Sequence, residues 1–232
     1  MITIRKSKDR GYYNHRWFET HHTFSFADYY DPDYTSFRTL RVINEDYVKP
    51  GEGFATHSHS DMEIITFILK GALEHKDSMG NTSIIRPGEI QRMTAGTGVT
   101  HSEFNPSQIE PVHLLQIWIL PDKAGLVPSY EQKAIDPQKK IDRFALIAAP
   151  TVRNGSVKVH QDAFVYTGSL KKRKTLTHKA GLGRGVWIQV MKGGLLLNDK
   201  ELSAGDAASA VNEKHLELTG NREADFLLFD LK

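Results

Sequence analysis

The stretch His57-Ser58-His59-Ser60-Asp61-Met62-Glu63-Ile64-Ile65-Thr66-Phe67-Ile68-Leu69-Lys70-Gly71 carries both a fold signal and a chemical one. From Glu63 to Leu69 it is an apolar run of strand length, closed by the turn signal Lys70-Gly71. Before that run stands a His-x-His pair. Residues i and i+2 of a strand share a face, so His57 and His59 can aim two imidazoles at one point. A second pair of the same form, His101-Ser102-Glu103, begins 42 residues after His59. Three imidazoles and one carboxylate form a nitrogen and oxygen set that suits a divalent transition metal and leaves room for other ligands.

Outward from this stretch, short apolar or alternating runs recur between turn residues. Thr39 to Ile43 is one. Ala72 to Lys76 leads into the hairpin signal Asp77 to Asn81, and Thr82 to Arg86 into Pro87-Gly88. Ile90 to Met93 is followed by Ala95-Gly96-Thr97-Gly98, and Val112 to Leu120 by Pro121. Strands of this length and spacing predict an antiparallel barrel or sandwich. Pro121 to about Pro150 is richer in proline and charge and reads as a crossover with one short helix. Strand texture then resumes, and Val186 to Gly194 echoes Ile64 to Gly71. Asn198-Asp199 reads as a hairpin turn, and Ala204-Gly205-Asp206 parallels Pro87-Gly88-Glu89. No His-x-His precedes Val186. The expectation is an all-β chain of two similar barrels with a metal site only in the first. Residues 1–130 form the first barrel, 131–145 a linker and 146–232 a degenerate second barrel.

The chain has 232 residues, with 30 basic and 28 acidic side chains. So even a balance gives no strong field for nucleic acid or an anionic membrane. There is no cysteine, which excludes disulfides, thiolate metal sites and a cysteine nucleophile. The first ten residues lack the apolar core of a secretory signal, and no run approaches the roughly 18 apolar residues of a membrane helix. A cytoplasmic, monomeric protein is expected.

Larger motifs resemble the cupin superfamily. Gly51, His57, His59, Glu63 and Gly71 fit its first motif; Gly98, His101 and Asn105 fit its second, although Gly96-Thr97-Gly98 replaces the usual Pro-x-Gly. The likeness narrows to the pirin family. It rests on His22-Thr-Phe-Ser-Phe-Ala-Asp-Tyr-Tyr-Asp-Pro32, His57 to Glu63, Glu74-His-Lys-Asp-Ser-Met-Gly80, Ala95 to Pro106 and Gln116-Ile-Trp118. Ser58 stands where the family often has Pro. The resemblance implies a bicupin, with His57, His59, His101 and Glu103 as metal ligands and Glu63 outside the ligand set. It implies iron or another divalent metal, flavonol dioxygenase (quercetinase) activity for some members, and regulatory protein partners for others.

On this reading Fe(II) is the expected ion, with Mn, Co, Ni, Cu and Zn as alternatives. The substrates are a small hydroxylated aromatic and O2. Glu103 is both a ligand and the catalytic base for a substrate hydroxyl. Phe54, Met93 and Gln116 are expected in the pocket wall. Glu63 is read as an outer carboxylate that orients an imidazole or serves the structure. His75 and His113 are read as hydrogen-bonded core or surface residues, and His21 and His22 as packing beside Phe24 to Phe26. His178 and His215 are read as partnerless surface residues, Lys171 to Lys174 as a solvated loop, and Asn154-Gly155-Ser156 as a turn. The rival functional class is a non-enzymatic metal or redox sensor that binds a protein partner. A third is a cupin isomerase or hydrolase that consumes no oxygen.

Overall fold

Short β-branched and apolar runs punctuated by glycine, proline and asparagine become twenty β-strands in the computed structural model, which describes residues 1–232. The first are β1 (Ile2–Arg5), β2 (Gly11–His15), β3 (Phe18–His22), β4 (Leu40–Val48), β5 (Gly53–His59), β6 (Glu63–Lys70) and β7 (Leu73–Asp77). Next come β8 (Thr82–Ile85), β9 (Glu89–Thr94), β10 (Val99–Phe104), β11 (Val112–Ile119), β12 (Ser129–Ala134), β13 (Ala145–Ala149) and β14 (Val157–Lys158). The last are β15 (Ala163–Leu170), β16 (Thr175–Lys179), β17 (Gly185–Leu197), β18 (Lys200–Ser203), β19 (Ala207–Val211) and β20 (His215–Leu231).

The chain divides into two compact units. One holds Gly11–Ala134 and Val157–Gln161; the other holds Met1–Arg10, Ile135–Ser156 and Asp162–Lys232. These bounds differ from the sequence expectation at residues 1–10, 131–134 and 157–161, and they put 135–145 with the C-terminal unit rather than in a linker. Residues 1–10 go with the C-terminal strands, because β1 pairs antiparallel with β19, Ile2 opposite Ala210 and Arg5 opposite Ala207. Residues 131–134 are strand rather than linker, because β12 pairs with β9, Ser129 opposite Thr94 and Ala134 opposite Glu89. The sequence Ser129-Tyr-Glu-Gln-Lys-Ala134 conceals this, since it lies at a sheet end, is only half-buried and has no apolar alternation. Further on, the one short helix is the 3-10 turn Pro137–Lys139, whose start is capped by Asp136 accepting from Gln138 N at 2.9 Å.

In the first unit a seven-stranded sheet runs β12-β9-β6-β11-β4-β3-β2, and a four-stranded sheet runs β5-β10-β7-β8. The centre of the larger sheet is dense with apolar side chains: Ile64, Ile65 and Ile68 on β6, and Leu114, Ile117 and Ile119 on β11, are all buried. Each such side chain contributes about 2 kcal/mol by leaving water. Val48, Ile68, Leu73, Ile85, Val112 and Leu114 form one apolar cluster, against which Trp17, Phe18 and Phe54 pack. The site lies beside this cluster.

In the second unit β1-β19-β17-β20-β15-β13 run side by side, with β16 on β20 and β18 on β17. The echo between halves extends to backbone geometry: Gly71 ends β6 at φ +79, and Gly193 interrupts β17 at φ +72. The Asn198-Asp199 hairpin forms, with Leu197 opposite Lys200 and Asn198 at φ +50. An apolar core that includes Val186, Ile188, Val190, Phe226 and Leu228 packs this unit. Lys171 to Lys174 is exposed, and His215 is exposed as expected. His178 corrects the sequence reading. It is buried, with Nε2 2.8 Å from Asp230 Oδ2, and the other oxygen of Asp230 accepts from Arg184. Asp230 lies 52 residues away in sequence, so the partner could not be seen there.

Candidate metal centre

Strands β5 and β10 are antiparallel neighbours, with His57 directly opposite His101 and His59 opposite Val99. The register then slips, so that Glu103 faces Phe54. This is a β-bulge, a device that re-aims a side chain. Gly53 permits it, because a Cβ there would lie 2.3 Å from the Glu103 carbonyl oxygen. Before His101 the chain bends at Gly96, whose φ is +47 and whose Cβ would lie 1.9 Å from the Leu126 carbonyl oxygen. The glycine-rich lead-in supplies the backbone freedom that this bend requires.

The three imidazoles come together. Ring centroids lie 4.8 Å apart for His57 and His59, 4.5 Å for His57 and His101, and 4.9 Å for His59 and His101. One donor atom from each lies within 4.8 Å of the others. Glu103 falls within the same limit of His101 and of His75, so the two groups share His101. The Glu103 carboxylate is held from behind: Gln116 Nε2 donates to Oε2 at 2.7 Å, and Thr66 Oγ1 approaches Oε1 at 3.5 Å.

Hydrogen bonds around the rings select their tautomers. His57 Nδ1 lies 2.8 Å from the Ala55 carbonyl oxygen, an acceptor only, so this nitrogen carries the proton. Asp77 is saturated with donors: Oδ1 accepts from Met79 N, Asn81 N and Asn81 Nδ2, and Oδ2 from Asn81 Nδ2 and His75 Nε2. Burial alone raises the Asp77 carboxyl, but the hydrogen bonds from His75 and Asn81 outweigh it and hold the group below its ordinary range. His75 therefore donates from Nε2 and can accept at Nδ1, which lies 3.4 Å from His101 Nδ1. The proton between those rings then belongs to His101, and His101 Nε2 is left with a lone pair.

The Nε2 atoms of both His59 and His101 are buried without a hydrogen-bond partner. Burial, then repulsion from His101 and His57, lowers His59 to about 4; burial, then His57 and His75, lowers His101 to about 3. Both rings are thus neutral near pH 7. Leaving a buried polar atom unpaired costs about 1–3 kcal/mol. Neutral imidazoles with unpaired nitrogens, beside a carboxylate fixed by donors, fit a divalent cation in chemistry as well as in position. Of the two groups of potential ligands, the set with His75 is the poorer, since both of its ring nitrogens are already engaged.

The centre opens into a cavity of about 650 Å³, lined by Trp17, Phe18, Phe26, Phe54 and Trp118 among its apolar residues and by His22, Asn44, Asp46 and Gln116 among its polar ones. Its size and character suit an aromatic ligand of drug-like dimensions. Phe54 and Gln116 line it as expected. Met93 does not; it is fully buried in a cluster with Ile64, Ala95 and Val99, because it sits opposite Ile64 on β6. His22 also corrects the reading, since it lines the cavity instead of serving only as packing. Asn44 and Asp46 were not singled out, although their polar i, i+2 spacing within the strand-like run after Leu40 was a usable signal. Glu63 does orient an imidazole, but that of His160, 3.2 Å from its Oε1, and not a ring of the site. His113 is half-buried, 2.9 Å from Glu45 Oε1 and stacked on Tyr47 at 3.9 Å.

Residues 3–119 match the family model Pirin. The chain belongs to the pirin family. Residues 146–231 match the model described as the quercetinase C-terminal cupin domain, so this pirin is a bicupin whose gathered histidines lie in the N-terminal unit. Over 231 residues it is 46% identical to the quercetin 2,3-dioxygenase of Escherichia coli strain K12, a match covering 100% of this chain and 99% of that protein. The bacterial pirin YhhW from Escherichia coli, solved in complex with nickel(II), is 44% identical with a TM-score of 0.96 and covers 100% of this chain and 99% of its own. A second structure of YhhW gives a TM-score of 0.97 at 45% identity, covering 100% and 98%. No helix of this pirin is long and apolar enough to cross a membrane.

Proposed function

We propose that this pirin is a metal-dependent dioxygenase that cleaves a flavonol such as quercetin with O2. The observation that carries the reading is the trio of imidazoles with two unpaired, buried Nε2 atoms, beside Glu103, in an aromatic cavity. The near-full-length likeness to a quercetin 2,3-dioxygenase and to a nickel-binding pirin supports it. His57, His59, His101 and Glu103 would hold one divalent ion; we assign iron(II), with Mn, Co, Ni, Cu or Zn able to compete according to availability. Such an ion supplies Lewis acidity, which makes a neighbouring phenol easier to deprotonate, and mediates reaction with dioxygen.

The geometry supports the following contributions from the protein's own groups. Glu103 takes the proton of the substrate 3-hydroxyl, and the amide of Gln116 keeps the receiving carboxylate aimed. Trp17, Phe18, Phe54 and Trp118 hold the flat rings and keep water away. Overall, two carbon–carbon bonds of the central ring break, both atoms of O2 enter the ring-opened ester, and one carbon leaves as carbon monoxide. The test is anaerobic loading with Fe(II), followed by parallel measurement of flavonol loss, oxygen uptake and carbon monoxide release. Metal binding without oxygen uptake would favour the non-enzymatic sensor, and turnover without oxygen uptake the isomerase or hydrolase class.

A further inference from the structure

A second polar set lines the same cavity, and the chemistry at the imidazole trio leaves it unused. Strands β3 and β4 are antiparallel, with Thr20 opposite Asp46 and His22 opposite Asn44. All four side chains line the cavity, and their exposures are only 2%, 5%, 4% and 5% for Thr20, His22, Asn44 and Asp46. Spacing by two places both cross-strand pairs on one face of the sheet. His22 Nδ1 and Asn44 Oδ1 are buried and have no hydrogen-bond partner. The ring of His22 is fixed by Tyr13 at 5.4 Å and by the edge-on ring of Phe26 at 5.1 Å, so it cannot easily turn to find one.

Buried polar groups in native proteins are nearly always paired, and exceptions call for an explanation. Two unpaired atoms, His22 Nδ1 and Asn44 Oδ1, on one wall of a cavity lined elsewhere by aromatic rings make such an exception, with Thr20 and Asp46 the next cross-strand pair along the same face. Each of the four can accept a hydrogen bond from a hydroxyl, and the threonine hydroxyl and the amide can also donate. The ladder therefore matches a ligand that is flat and aromatic over most of its surface and carries several hydroxyls at its edge. We propose that Thr20, His22, Asn44 and Asp46 form a recognition subsite for the ring hydroxyls of a polyphenol, separate from the hydroxyl that meets Glu103. This deepens the functional reading above and rests on it to the extent that the cavity admits an aromatic ligand. The subsite makes the enzyme selective for heavily hydroxylated flavonols, because a ligand without those hydroxyls leaves the ladder unpaired when it expels water.

The experiment uses the full-length, metal-loaded protein without oxygen, titrated with quercetin and with 3-hydroxyflavone, which keeps the 3-hydroxyl but lacks the other ring hydroxyls. Quenching of tryptophan fluorescence gives both dissociation constants. Wild type is expected to bind quercetin at least tenfold more tightly. Asn44→Leu and His22→Phe should each reduce that ratio at least threefold by weakening quercetin, with 3-hydroxyflavone unchanged within twofold; Asn44→Ala and His22→Gln serve if the bulkier variants do not fold. An equal affinity of wild type for both ligands, meaning that only water occupies the ladder, overturns the proposal. So does an unchanged ratio in variants with native melting and metal content. Ladder-dependent binding without later turnover in air would remove the dioxygenase reading and leave the subsite standing. Turnover with a ratio insensitive to the ladder would do the reverse.

Discussion

The Nδ1 atoms of His75 and His101 face each other at 3.4 Å. Because Asp77 fixes the proton on the far nitrogen of His75, this contact sets which nitrogen of His101 offers a lone pair to the site. His75 is thus a positioning residue. Replacement by Phe keeps an aromatic ring but removes the acceptor, and metal affinity should fall about 10–100-fold, the usual effect of losing an outer partner of a ligand histidine. Chelator competition measures this. The nitrogen NMR shifts of His101 should show mixed tautomers in the variant and one tautomer in wild type. Unchanged affinity would remove His75 from the site.

Glu103 combines the tasks of ligand and base, and one substitution separates them. Glu103→Gln keeps size and a coordinating oxygen but loses basicity. Metal content should drop only in part, while turnover should fall roughly 10²–10⁴-fold, the range for loss of a positioned base. Full turnover in a loaded variant would assign proton removal elsewhere. Gln116→Leu, which removes the 2.7 Å donor to Oε2, should give a smaller loss in the same direction.

Asp46 gives the fold a pH dependence. Burial raises its carboxyl from 3.8 to about 7, against the hydroxyl of Thr20 and with help from the charges of Glu103 and Glu45. Between those values the folded chain keeps a proton that the unfolded chain has released. Stability therefore falls as pH rises from about 4 to about 7, and the penalty is complete above that range. Asp46→Asn removes it. In denaturant unfolding of the metal-free protein, the variant should gain on wild type by up to about 1.4 kcal/mol per pH unit inside this window. A difference that does not change between pH 4.5 and 8 would contradict the assignment.

Gly96 tests the bend before His101. An alanine there needs a left-handed backbone and a Cβ pressed against the Leu126 carbonyl. Together these should destabilise the N-terminal unit by about 2–4 kcal/mol. The expected readout is a lower melting temperature and weakened metal retention. Gly98→Ala isolates the backbone part of the cost, since nothing lies within 4 Å of a Cβ there but its φ of +136 is itself strained for alanine, so this variant should be destabilised as well.

The parts of the molecule visible in the sequence were those written in local patterns. His57 and His59, and His101 and Glu103, share parity within their own strands, and Gly71, Gly96 and Asn198 mark turns by backbone preference. What stayed hidden depends on strand pairing across long separations. Ile2 gave no sign of pairing with Ala210, nor His178 of meeting Asp230. Met93 looked like a wall residue until its register against Ile64 fixed its direction. His22 and Asn44 become a pair only when β3 is laid beside β4. His75 could be read as hydrogen-bonded, but its partner on β10 lies 26 residues away.

Oxygen uptake by the Fe(II)-loaded protein with quercetin, beside a His101→Ala variant prepared in the same way, decides whether the imidazole centre carries out dioxygenation. Wild type is expected to consume one O2 and release one carbon monoxide per flavonol lost, and the variant to show neither metal retention nor turnover. Absence of oxygen uptake with Fe, Mn, Co, Ni and Cu alike, or undiminished turnover by His101→Ala, would contradict that role for the centre.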